Sequence, residues 1–169
     1  MGAAALSLRG VAERAGLSRQ APYNHFADKE ALLAELARVG FERLESRVKE
    51  IKGYPKGISL DYAANAYIEF AQSAPALFRL MFSRELVDLS RYPAATAAAR
   101  SAFGSLAAIV RNLAAPERAE ELSLAAWCLV HGYATLSIEM GLGSQQNRLE
   151  RARLFARVIS NDAVTGARR

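Results

Sequence analysis

Apolar residues recur at spacings of three and four along nearly the whole chain, and the strict alternation of a half-buried strand is almost absent. Ala is abundant, and Pro and Gly clusters punctuate the pattern. The pattern predicts an all-α protein. A short helix over Ser7–Ala15 stops at Gly16, a residue suited to the left-handed conformation after a helix. A second helix runs from Arg19 to Phe26, with Ser18 as its N-cap and Pro22 within or just past its first turn, where a missing N–H costs least. Asp28 caps a long helix from Lys29 to Lys52, whose Leu33, Leu36, Ala37, Leu44, Val48 and Ile51 form one apolar stripe.

Gly53-Tyr54-Pro55-Lys56-Gly57 is the clearest break, and it divides a head, residues 1–52, from a body, residues 53–169. Helices are expected in the body at Ser59–Ser73, Pro75–Arg84, Ala94–Ala114, Pro116–Met140 and Gln146–Ser160, with a frayed tail from Asn161. No internal repeat and no low-complexity tract breaks this reading.

Composition narrows the field only a little. In 169 residues, 51% are hydrophobic, enough to bury a real core. The formal charge of +5 suits a polyanionic partner without requiring one. A single cysteine, Cys128, rules out an internal disulfide and a multi-cysteine zinc site; within the apolar run Ala125–Val130 it reads as a buried, inert thiol. Met1–Gly10 lacks the pattern of a secretory signal, and no uninterrupted apolar window is long enough for a membrane span, so a cytoplasmic protein is expected.

Chemistry concentrates in SLRGVAERAGLSRQAPYNHFADKEAL, from Ser7 to Leu32. Two short helices joined by a three-residue turn containing Gly form a helix-turn-helix. Ala12 places a methyl group where the helices cross, and Val11, Ala15 and Leu17 are expected to fill the small core beneath. The second helix is then free to enter a major groove. An Ala-Gly-Leu-Ser turn followed by Tyr-x-His-Phe and then Lys resembles the DNA-binding head of the tetracycline-repressor (TetR) family. The resemblance implies that Tyr23, His25 and Lys29 touch phosphates, that Arg19, Gln20, Ala21 and Asn24 reach base edges, and that Ser7 and Arg9 meet the backbone. Ser18 belongs to the same DNA-facing set. The residue types suit these roles: Arg pairs bidentately with guanine, Gln or Asn with adenine, and a Tyr hydroxyl donates to phosphate. Against them stand plainer roles, with His25 packing under Phe26 and Glu13 and Arg14 forming a solvated face. The family has a further helix before this motif; only Met1–Leu6 precede Ser7 here, which predicts weakened DNA binding for the chain as written.

In the body, Tyr67–Phe82 and the run Trp127-Cys-Leu-Val-His-Gly132 resemble a subgroup of that family with a Trp-x-x-x-His-Gly motif. Tyr67, Phe70, Phe78, Met81, Phe82, Trp127 and His131 are the candidate walls and polar groups of a small-molecule effector site, the alternative being an ordinary aromatic core. Cys128 and His131 invite a dyad reading, but no orienting acid lies nearby. Metal-ligand pairs and phosphate loops are absent as motifs, so neither a cofactor nor an enzymatic activity is expected.

Two stripes are expected on the helix Pro116–Met140. One is Leu122, Ala126, Leu129, Tyr133 and Leu136; the other is Trp127, Val130, Ala134 and Ile138. The last helix adds Leu149, Ala152, Phe155, Ala156 and Ile159. The resemblance implies a homodimer through these last two helices, and hence a palindromic double-stranded operator read by a ligand-responsive repressor. The alternative is a ligand-binding or interaction module with little affinity for DNA.

Overall fold

Ser7 opens the first helix as its N-cap, with extended backbone and an Oγ that accepts from the Gly10 N–H at 3.1 Å. The computed structural model describes residues 6–50, 58–142 and 147–165, and no strand occurs among them. The chain is all-α. Its helices are α1 (Leu8–Arg14), α2 (Lys29–Lys49), α3 (Ile58–Ser73), α4 (Pro75–Phe82), α5 (Pro93–Arg111), α6 (Ala119–Met140) and α7 (Arg148–Thr165).

α1 ends where the hydrogen bonds say it must. Gly16 takes φ 67°, its N–H reaches the Glu13 carbonyl at 3.2 Å, and the Leu17 N–H reaches back to Ala12 at 2.9 Å. These two bonds satisfy carbonyls the helix end leaves open, and the left-handed turn that makes them is open to glycine at little cost. Ala12 is fully buried, as the crossing requires, but Ala15 and Leu17 are exposed rather than part of the small core. Leu17 is held by its backbone N–H, not by its side chain.

The expected α-helix from Arg19 to Phe26 is instead a single 3₁₀ turn, Ala21–Asn24. Pro22 supplies the reason. Without an N–H it cannot join an i→i−4 ladder, so the Ser18 carbonyl takes the Ala21 N–H at 3.0 Å and Gln20 takes Tyr23 at 3.0 Å. Gln20, not Ser18, stands at the cap position, and it makes no side-chain capping bond. Asp28 does cap α2, its carboxylate accepting from the Ala31 N–H at 2.8 Å.

Contacts group the chain into two compact units, Met1–Glu42 with Ala76–Ala99, and Arg43–Pro75 with Arg100–Arg169. The expected hinge at residues 53–57 lies outside the described residues. In the first unit, Leu33 and Ala34 of α2 pack with Leu80 and Val87. Gly40 lets α4 approach closely, because a Cβ there would fall 2.6 Å from the Met81 sulfur. Phe82 meets Phe41 edge-on and Phe78 at a tilt, with centroids 5.5 and 5.1 Å apart. Leu36, expected in the buried stripe, faces out, one position off the row Leu33, Ala37, Phe41. Glu30 ties α2 to the segment beyond α4, accepting from the Asp88 N–H at 3.2 Å and pairing with Arg91 at 2.6 Å.

The second unit is built on α3, α6 and α7, which pack mutually. Leu60, Val110, Leu122, Ala156 and Ile159 form its buried cluster. Arg47 lays its guanidinium over the Phe70 ring at 5.7 Å. Glu45 accepts from Ser101 at 2.6 Å and Ser105 at 3.2 Å. Helix ends differ from expectation in several places: α4 stops at Phe82 rather than Arg84, α5 at Arg111 rather than Ala114, α6 begins at Ala119 after a 3₁₀ turn over Pro116–Arg118, and α7 continues to Thr165 where a frayed tail was expected.

Candidate functional site

The residues singled out for DNA occupy one short stretch and are mostly on the surface. Ser7, Arg9, Ser18, Arg19, Gln20, Tyr23, Asn24 and His25 are exposed, while Ala21 and Lys29 are half-buried. Pro22 is buried beneath them and anchors the turn. Tyr23 is a large ring left 42% exposed, and its hydroxyl is a group able to donate. His25 stands against Phe26 with centroids 6.4 Å apart, so the plainer contact is present while the residue stays exposed. Ser7 is shared too, since its Oγ already caps α1. The stretch thus exposes guanidinium, amide, hydroxyl and imidazole groups close together in the chain, group types that suit phosphates and base edges.

The residues singled out for an effector fall into two places. Phe78, Met81 and Phe82 belong to the first unit, Phe78 and Met81 as buried core. Tyr67, Phe70, Trp127 and His131 belong to the second. There the Trp127 indole donates to the Tyr67 hydroxyl at 3.3 Å, and that hydroxyl lies 2.8 Å from His131 Nδ1. Because an indole can only donate, the arrangement that uses every proton has Tyr67 donating to His131, whose neutral ring then carries its hydrogen on Nε2. Burial pushes the Tyr67 hydroxyl far up and the His131 imidazole down, so both groups stay uncharged. Phe103 closes on Trp127 at 5.1 Å.

Cys128 corrects the sequence reading: the thiol is exposed, because α6 turns it away from the side that holds Val130 and Ala134. His131, three residues on, is engaged with Tyr67 instead. Among the described residues, no group of three or more His, Cys, Asp or Glu is placed to hold a metal ion, and no helix is long and apolar enough to cross a membrane.

Two family models match the chain. One, described as the tetracyclin repressor-like C-terminal domain, covers residues 60–161. The other, described as bacterial regulatory proteins of the tetR family, covers residues 1–36. The chain belongs to the TetR family. Among solved structures, a protein of unknown function from Rhodococcus sp. RHA1 is 27% identical, with a TM-score of 0.78 over 94% of this chain and 84% of that one. PfmR, a TetR family transcriptional regulator from Thermus thermophilus, shares the fold at 17% identity, with a TM-score of 0.70 over 94% of this chain and 90% of that one. No curated protein is significantly similar.

As a TetR-family protein, the chain is a DNA-binding transcriptional regulator. One surface of this regulator escapes a reading of the sequence. Leu124, Cys128, Leu136 and Met140 are exposed at four- and eight-residue intervals along α6, and Leu154 and Val158 do the same on α7. Only Leu136 of these stands in an expected stripe. The expected Val130 and Ala134 of α6, and Ala152, Ala156 and Ile159 of α7, are consumed by the unit's own core. The signal that marks the surface is the third apolar row of α6, spaced by four from Leu124.

Proposed function

We propose that this regulator is a ligand-responsive repressor that binds a palindromic operator as a homodimer through α6 and α7. The observation that carries the reading is the exposed apolar stripe on those two helices. A TetR-type head needs a partner head, and a two-fold copy of this face would bury Leu124, Leu136, Met140, Leu154 and Val158, of which Met140 is 68% exposed. Exposed apolar residues in one contiguous row, rather than scattered singly, mark an interaction surface.

At each operator half, Arg19, Gln20, Ala21 and Asn24 read base edges. Ser7, Arg9, Ser18, Tyr23, His25 and Lys29 fix the register on phosphates, Lys29 beside the N-terminus of α2. An effector held in the second unit shifts the heads by binding two states with different affinity. The same reading makes it a cytoplasmic protein without enzymatic activity of its own.

Selection from a random duplex library with the full chain tests this reading. The enriched site should be two-fold symmetric, with half-sites one helical turn or a multiple apart. On that site Arg19→Ala should cost about 1–3 kcal/mol, roughly 5- to 150-fold in affinity. Its affinity for unrelated duplex should fall far less. Enrichment of an asymmetric site, or an equal loss on both duplexes, would sink the proposal.

A further inference from the structure

Between α3, α5, α6 and α7, wholly within the second unit, runs an apolar cleft that no candidate effector residue except Trp127 touches. We infer that this cleft binds a small, uncharged, largely hydrocarbon ligand, an assignment that rests on the ligand-responsive reading above and names the chemistry of its effector.

The walls decide the class. No residue lining the cleft carries a charge. Its two polar lining residues have their donors engaged: Ser123 Oγ donates to the Ala119 carbonyl at 2.5 Å, and the Trp127 indole donates to Tyr67. Behind Trp127, the Tyr67 hydroxyl is engaged with His131 Nδ1, and burial keeps both groups neutral. A carboxylate entering here would find no cation, and an ammonium no carboxylate, while each would lose its hydration. A hydrocarbon loses nothing by entry and gains from leaving water. The opening itself comes from small side chains, since Ala64, Ala126 and Ala156 put a single methyl on three of the four helices.

Size sets the second condition. The cleft as it stands has a volume of only about 20 Å³, room for about one water. A ligand of several carbons therefore spreads the walls as it enters. Phe155, Ala156 and Ile159 of α7 are among those walls, and Leu154 and Val158 lie on the outer side of the same helix. Entry is thus felt on the face assigned to the second copy.

Trp127 is the only tryptophan in the chain and lines the cleft, so it reports occupancy directly. The full chain is titrated with 1-bromooctane, whose heavy atom quenches indole emission, and then challenged with octanol, octylammonium and octanoate. Saturable quenching is expected, reversed by octanol at concentrations at least tenfold below either ion. Ala126→Leu, which fills the cleft, should remove the saturable phase and leave the helical circular dichroism intact. Should that variant fail to fold, the competition series on the unaltered chain decides alone. Quenching that rises linearly, or ions that compete as well as octanol, overturns the inference. Saturable quenching in a chain that selects no symmetric duplex upholds the cleft and overturns only the repressor reading; a selected operator with linear quenching does the reverse.

Discussion

The polar side chains from Ser7 to His25 and the apolar row on α6 and α7 are both largely exposed, but the partners proposed for them would be met by opposite physics. In the first, every residue but Ala21 carries its own hydrogen-bonding group and most lie within a few positions of the next, so a short motif can hold the whole proposed DNA-reading surface. In the second, no residue has a function of its own. Affinity comes from contiguous area, and what matters is which of several apolar rows the packing leaves uncovered. A polar binding surface is therefore written locally, whereas an apolar one is set by the rest of the fold.

The largest expected effect tests that contrast directly. Leu136 is 45% exposed on α6, so Leu136→Arg should leave the fold intact while placing a charge in the middle of the proposed dimer face. Sedimentation should show a monomer at micromolar concentration. Because two linked heads bind far more tightly than one, operator affinity should fall by about 10²- to 10⁴-fold with no change in the reading residues. A variant that remains dimeric would move the interface elsewhere. One that dissociates yet keeps its operator affinity would show that a single head suffices.

A smaller effect probes the other side. Gly16 holds φ 67° with nothing within 4 Å of where a Cβ would sit, so Gly16→Ala meets no clash and isolates the cost of the left-handed backbone. That cost is about 1–2 kcal/mol, read as a drop in urea-unfolding free energy. Because the turn sets the approach of α1 to Pro22 and Tyr23, operator binding should weaken in parallel. Unchanged stability would mean that the turn has another conformation.

Much of this is legible in the residues. Gly16 and Asp28 predict their capping bonds because each acts within four residues of itself, and the order of the helices follows from apolar spacing. The 3₁₀ turn at Ala21–Asn24 is harder to read, because Pro22 is tolerable in a helical first turn and yet is also the residue that switches its neighbours to i→i−3 bonding. The exposure of Cys128 is hidden because the run Ala125–Val130 is apolar on every side, and periodicity cannot say which row faces a neighbour when all rows look alike. The Glu30–Arg91 pair and the Gly40–Met81 approach are invisible for a different reason: they join positions 61 and 41 residues apart, and nothing local encodes that distance.

The smallest effect asks whether the second unit also contains polar chemistry of its own. His131 is half-buried beside Tyr67 and Trp127, and this partial burial holds its imidazole below the ordinary value of 6.5. A base with a lowered folded pKa takes up its proton more readily when unfolded, so the unfolded state binds more protons between the two values. Stability contributed by the neutral ring is therefore complete above about pH 6.5 and declines as pH falls from there to the folded value, below which it is flat. His131→Gln, which cannot titrate, removes that component and keeps a group able to accept from Tyr67. Urea unfolding of both chains at pH 7.5, 6.5 and 5.5 separates this from carboxylate titration, which the two share. The unaltered chain should lose more stability on acidification than the variant. Parallel losses would mean that His131 is already solvated, leaving the apolar cleft beside it without its neutral backing.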